Sequence, residues 1–298
     1  MSAARSSFFS TLRSGVASTG TRPQVSCRPL ASNISSLRQA AAAIHTKPVL
    51  LDEGKFRQNG IEPLYSAKGF DLAWTKYQEY LCNELTKATA GTKYDGISPF
   101  DTLLATARYP EETVLFNWSS LAHNNHFFFH TLKGPSSKDS TGPLPALSRA
   151  IDLHFTGVEE LKDHMSGIAR SMCGNGFVWL VEGPNKQLFV TATYNSGTPY
   201  DDAHGMNVDM NGPVSEATRN SVRENEAMLR QRAKRRPDWP LPLLCINVWE
   251  HAYLTDYGFE GKEEYFENWW KSIDWHKVEE RFSSVSVFNE AKEGRASL

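Results

Sequence analysis

The chain has 298 residues, of which 40% are hydrophobic and 22% charged, and a formal net charge of −2. That balance is ordinary for a globular protein and the length is enough to bury a substantial core. No apolar run reaches the length that spans a bilayer. Cys27, Cys82, Cys173 and Cys245 lack paired or CxxC spacing, which argues against a disulfide framework and against a zinc site.

The first fifty residues differ in kind from the rest. From Met1 to Leu51 there is no aspartate or glutamate, while Arg5, Arg13, Arg22, Arg28 and Arg38 are spread among serines, threonines and alanines. Phe8, Phe9, Leu12 and Val16 form an apolar strip if this start is helical. An acid-free, Arg- and Ser-rich amphipathic leader is the signature of a mitochondrial transit peptide; the alternative is a basic tail. The leader is expected over residues 1–47, with cleavage between Arg38 and Lys47. Taking its six basic residues from the 32 in the chain leaves 26 against 34 acidic ones, a net charge near −8. A body of that sign does not coat nucleic acid with its whole surface, so any RNA contact is local.

Further on, Phe70, Trp74, Tyr77, Leu81 and Leu85 recur at spacings of three and four and predict a helix over Glu62–Leu85, with Pro63 in its first turn. A second helix is predicted from Pro110, where Glu111 and Glu112 complement the dipole. Its stripe is read as Leu115, Trp118, Ala122, His126, Phe129 and Leu132. The Gly-, Ser- and Pro-rich stretch Gly134–Pro145 is an internal boundary. After it, Val158–Cys173 reads as a helix. Phe177–Val181 and Gln187–Ala192 read as a hairpin around Gly183-Pro184-Asn185, Pro242–Trp249 as a third strand, and Lys262–Phe282 as closing helices. The order is α+β: a long N-terminal helical hairpin (residues 48–140), then a three-stranded antiparallel sheet with helices (residues 141–298).

Residues 195–240 form an enlarged, charged insertion in the second part. A connection this long carries function or is unstructured. It ends in Arg230-Gln231-Arg232-Ala233-Lys234-Arg235-Arg236. Arg230, Arg232, Lys234, Arg235 and Arg236 are read either as a solvated face or as a local phosphate contact. No aromatic residue interleaves them, so base stacking is not indicated. There is also no glycine-rich phosphate loop, no G-x-S-x-G elbow and no HExxH.

Asn247-Val248-Trp249-Glu250-His251-Ala252-Tyr253 closely resembles the D-x-W-E-H-A-Y signature of iron/manganese superoxide dismutases. His123-Asn124-Asn125-His126 before Phe127-Phe128-Phe129, Gly174–Leu180, and Asn268–Trp275 through Arg281-Phe282 resemble the same family in the same order. Several segments over roughly Glu62–Phe282 make the resemblance far more specific than one motif. It implies the dismutase fold, and with it a metal held by three imidazoles and one carboxylate. Aligned from Glu62-Pro63, the first ligand position is Ala73, the gateway position Tyr77 and the pocket tyrosine Leu81. The second ligand is read as retained in His126, the aspartate becomes Asn247, and the last ligand is retained as His251. The outer-sphere glutamine aligns with Cys173 or Ala122, neither of which supplies an amide. A methyl group cannot bind a metal, and a neutral amide does not compensate a trivalent ion. The expectation is no enzyme activity, no cofactor and no functional metal site.

The resemblance further implies that Glu250 and His251 belong to a two-fold interface. A mitochondrial leader, a dismutase-like body and a stripped site are similar to the dismutase-like proteins of the fungal mitochondrial small ribosomal subunit, which pair as a heterodimer. From this follow the expected partners: mitochondrial ribosomal proteins, a second dismutase-like subunit, limited rRNA at most, and no membrane, in the mitochondrial matrix. The job implied is structural; the alternatives are an active or alternatively metallated mitochondrial superoxide dismutase and a free mitochondrial binding protein.

Overall fold

A computed structural model describes residues 44–133, 142–183, 185–200 and 240–282. All but the last four positions of the expected leader, and the whole basic stretch 230–236, lie outside the described residues.

The helical half begins with α1 (Glu53–Asn59) and continues as one rod: α2 (Ala67–Phe70), a π-wound segment (Asp71–Lys76) and α3 (Tyr77–Thr89). The rod starts at Ala67, not at Glu62 as expected. Ser66 is its N-cap, with Oγ accepting from the Gly69 N–H at 3.0 Å, which satisfies one of the orphan donors of a helix start. Pro63 instead sits in a tight loop closed by backbone pairing of Ile61 with Tyr65. The predicted stripe holds: Phe70, Trp74, Leu81 and Leu85 are fully buried. Ser66 donates from N and Oγ to the Asp256 carboxylate at 3.0 and 2.6 Å, fastening this helix start to a C-terminal helix.

α4 (Pro99–Thr106) follows, then a 3₁₀ turn (Pro110–Glu112) leading into α5 (Thr113–His130), which packs along α3. α4 was not foreseen; Ser98, accepting from the Asp101 N–H at 3.1 Å, and Pro99 at the first position are its start signal. After α6 (Pro145–Phe155), also not foreseen, α7 (Val158–Ser171) leads into the sheet.

The sheet is antiparallel, in the order β2-β1-β3: β1 (Gly176–Glu182), β2 (Leu188–Tyr194) and β3 (Leu241–Asn247). β1 is buried at every position, as a central strand covered on both faces must be, and this accounts for its unbroken apolar run. In the register Trp179 faces Thr191 on β2 and Cys245 on β3, and Phe177 faces Asn247. The β1–β3 ladder slips between Leu180 and Val181, whose partners are Leu244 and Pro242. Leu243 is thus the extra residue of a bulge beside a proline that has no N–H to donate. Its carbonyl accepts from Arg281 Nη1 at 3.0 Å.

α8 (Glu250–Tyr257), α9 (Lys262–Lys271) and a last helical stretch α10 (275–282) close the chain. One hydrophobic cluster runs through both halves and contains Trp74, Phe129, Trp179, Trp269 and Trp275. Among the described residues no helix is long and apolar enough to cross a membrane.

Candidate functional site

Asn247 ends β3, where the strand hands over to α8. Its side chain has no exposure, and neither has Asn125, on α5; Gln78, on α3, has 1%. Buried amides this deep must find partners, and they find one another. Gln78 Nε2 donates to the Ala122 carbonyl at 2.9 Å. Asn125 Nδ2 donates to Gln78 Oε1 at 2.9 Å and to the Ala73 carbonyl, in the π-wound segment, at 3.3 Å. Asn247 Nδ2 donates to Asn125 Oδ1 at 3.3 Å. The Trp249 N–H donates back to Asn247 Oδ1 at 2.9 Å, and the Asn247 carbonyl accepts from Tyr265 Oη at 2.9 Å.

His251 approaches the same helical turn from α8. Its ring lies 3.8 Å, centroid to centroid, from that of Tyr77, the neighbour of Gln78. His251 Nε2 is buried and has no hydrogen-bond partner, and burial pushes its pKa down to about 4, so it is neutral at physiological pH. Burial likewise raises the Tyr77 hydroxyl above its ordinary range.

Asn125 and Asn247 therefore meet beside the Ala73 carbonyl, and His251 packs against Tyr77 of the same rod. The His126 ring lies 5.9 Å from those of Trp74 and His130, and its neighbour Asn125 supplies the bond to Asn247. The buried residues of α5 are Phe116, Ser119, Ser120, Leu121, Ala122, Asn124, Asn125, Phe128 and Phe129, a face too broad for one apolar stripe to have marked Asn125 from sequence alone. Gln78, a polar residue flanking the apolar stripe of α3, was not foreseen; its amide bonds the Ala122 carbonyl and Asn125. Cys173 is exposed and Ala122 contributes its backbone carbonyl.

Arg281 forms a second polar feature under the sheet. Its guanidinium lies 3.8 Å over the Phe127 ring, takes the Leu243 carbonyl, and meets His130 Nδ1 at 3.1 Å. Burial pushes its pKa down to about 10. Burial, then the nearby Arg281 charge, lowers His126. His123, bonded to Tyr200 Oη at 2.9 Å, is pushed by burial, then by His126 and Arg281, down to about 3. Glu250 is exposed, and its backbone N–H donates to Asn175 Oδ1 at 3.1 Å.

With a methyl group at Ala73 and an engaged amide at Asn247 where the resemblance implies a carboxylate, the position does not fit manganese or iron in the dismutase manner. Among the described residues no group of three or more His, Cys, Asp or Glu side chains is placed to hold a metal ion. Fold and centre together define a protein of dismutase architecture with a buried amide network at the end of β3.

A model of iron/manganese superoxide dismutases, C-terminal domain, matches residues 143–211 and 217–281. The chain is 33% identical over 192 residues to small ribosomal subunit protein mS42 of Schizosaccharomyces pombe, covering 63% of this chain and 76% of that protein. It is 29% identical over 255 residues to small ribosomal subunit protein mS43 of the same organism, covering 82% and 86%. A manganese superoxide dismutase of Pseudomonas aeruginosa is 27% identical over 233 residues, covering 77% and 95%. The chain belongs to the superoxide dismutase-like family that includes small ribosomal subunit protein mS42.

Proposed function

We propose that this chain is a non-catalytic, structural component of the mitochondrial small ribosomal subunit and that it supports mitochondrial translation from the matrix. The observation that supports the non-catalytic part is Asn247, a neutral amide bonded to Asn125 where the resemblance implies a carboxylate ligand. The ribosomal part is supported by the two relatives named as small ribosomal subunit proteins. In this reading the fold is kept for its surfaces. Glu250, exposed at the start of α8, and His251 behind it form the contact to a second dismutase-like subunit. Arg230, Arg232, Lys234, Arg235 and Arg236 touch rRNA locally, while the acidic remainder keeps the protein among protein neighbours.

Sedimentation of a mitochondrial detergent lysate through sucrose with EDTA tests this directly. The protein is expected to travel with the small subunit and away from superoxide dismutase activity. Recovery at the top of the gradient overturns the ribosomal reading, and recovery there together with the activity overturns the non-catalytic one as well.

A further inference from the structure

The buried amides have a consequence that is independent of the ribosomal assignment. Gln78, Asn125 and Asn247 form an unbroken series of donors and acceptors from the Ala122 carbonyl on α5, through α3, back to α5 and across to the end of β3, where the Trp249 N–H completes it. We propose that this relay is a structural replacement for a metal ion: it fastens the helical half to the sheet half at the point where a metal would otherwise do so, and it makes the centre refuse di- and trivalent cations.

Both parts follow from the donor accounting. Each of the three side-chain amides donates at least one hydrogen bond and accepts one, so none has an oxygen left idle. A cation at this centre would take the oxygens of Asn125 and Asn247 from the Asn247 amide and the Trp249 N–H, leaving those donors buried and unpaired. His251 Nε2 is buried without a hydrogen-bond partner, and a neutral imidazole supplies no charge. A multivalent ion buried without an anion carries a desolvation penalty that these ligands do not offset. The relay is also a crosslink. α3, α5 and β3 lie far apart in sequence: Asn125 is 47 positions after Gln78, and Asn247 is 122 positions after Asn125. The side chains themselves, with the Ala73, Ala122 and Trp249 backbone, make the tie. A polar network closed in this way specifies one arrangement of the elements that carry it, because any other leaves amides unsatisfied in the core.

The experiment has two arms, both on the purified full chain. In the first, protein expressed with added manganese and iron is analysed for bound metal, and its melting temperature is read with EDTA and with excess manganese(II). Trace metal and an unchanged melting temperature are expected. About one equivalent of metal, with a melting temperature that falls on chelation, overturns the proposal. In the second, Asn125→Ala, Asn247→Ala and the double variant are unfolded in urea. Each single change is expected to lower the folding constant about tenfold or more, and the double variant to lose far less than the product of the two. Independent, multiplicative losses overturn the crosslink. Should an alanine variant fail to fold, Gln78→Met with Asn125→Leu, close in volume to the amides they replace, completes the same cycle one link along.

Discussion

Lowering the pH from 7.5 to 5.0 charges the histidines of the unfolded chain while His123 and His251 stay neutral inside the fold. His123 is pushed down to about 3 and His251 to about 4, burial being the first cause for each. With an unfolded value of about 6.5, the unfolded state binds more protons over this range, so stability falls as pH falls; the loss begins near pH 6.5 and is complete only below the folded values. At pH 5.0 each histidine removes about 2 kcal/mol relative to pH 7.5, since about thirty unfolded molecules are protonated for each neutral one. The two together remove about 4 kcal/mol, a large share of the stability of an ordinary domain. Urea unfolding at the two pH values measures this in the wild type, in His123→Gln and in His251→Gln. Each variant is expected to show a pH-dependent loss smaller by about 2 kcal/mol, and the double variant to keep the remaining acid sensitivity of His130, pushed down to about 4, and of His126 and His45, both lowered by burial first. A wild type that loses less than about 1 kcal/mol, or variants as acid-sensitive as it is, would refute the claim that these rings are held neutral by burial.

Asn247→Asp has the opposite sign. It removes the donor that meets Asn125 Oδ1 and buries a carboxylate, so a loss of about 2–3 kcal/mol is expected at pH 7.5; burial raises the folded pKa above the unfolded one, so stability is lost as pH rises and recovered toward pH 5, which the same urea series reads. Gly60→Ala and Gly69→Ala separate a backbone clash from a side-chain clash. A Cβ at Gly60, with φ +77°, would lie 2.1 Å from the Tyr65 carbonyl oxygen, which cannot move aside, and one at Gly69 would lie 1.9 Å from Asp256 Oδ2, which can. Calorimetry is expected to show a loss of about 3 kcal/mol for the first and about 1 kcal/mol for the second, the latter through release of the Ser66–Asp256 tie. Arg281→Met removes the guanidinium from the Phe127 ring and from the Leu243 carbonyl, for an expected loss of about 1–3 kcal/mol in urea unfolding.

The hairpin of α3 and α5, the β1–β2 turn, the third strand and the closing helices were legible because their signals are local: apolar spacing of three to four, Gly and Asn at a turn, β-branched and aromatic runs. α4 and α6 were missed because eight and eleven residues between turns leave little periodicity to read, although Ser98-Pro99 marks the first of them. The start of the α2–α3 rod was misjudged because Pro63 is as much at home in a tight loop as in a first helical turn.

At the centre the division is sharper. Ala73 and Asn247 are read directly from the sequence, and they suffice to say that a trivalent metal lacks its charge and its ligands, because that depends on residue type alone. Which residues of the His123–His126 run are fully buried depends on helical phase, and here they are Asn124 and Asn125. The partnership of Gln78, Asn125 and Asn247 is decided only by tertiary structure. An amide hydrogen bond is worth having in the core only when its partner stands within about 3 Å in the right orientation, and no pattern along the chain records that three side chains from α3, α5 and β3 meet there.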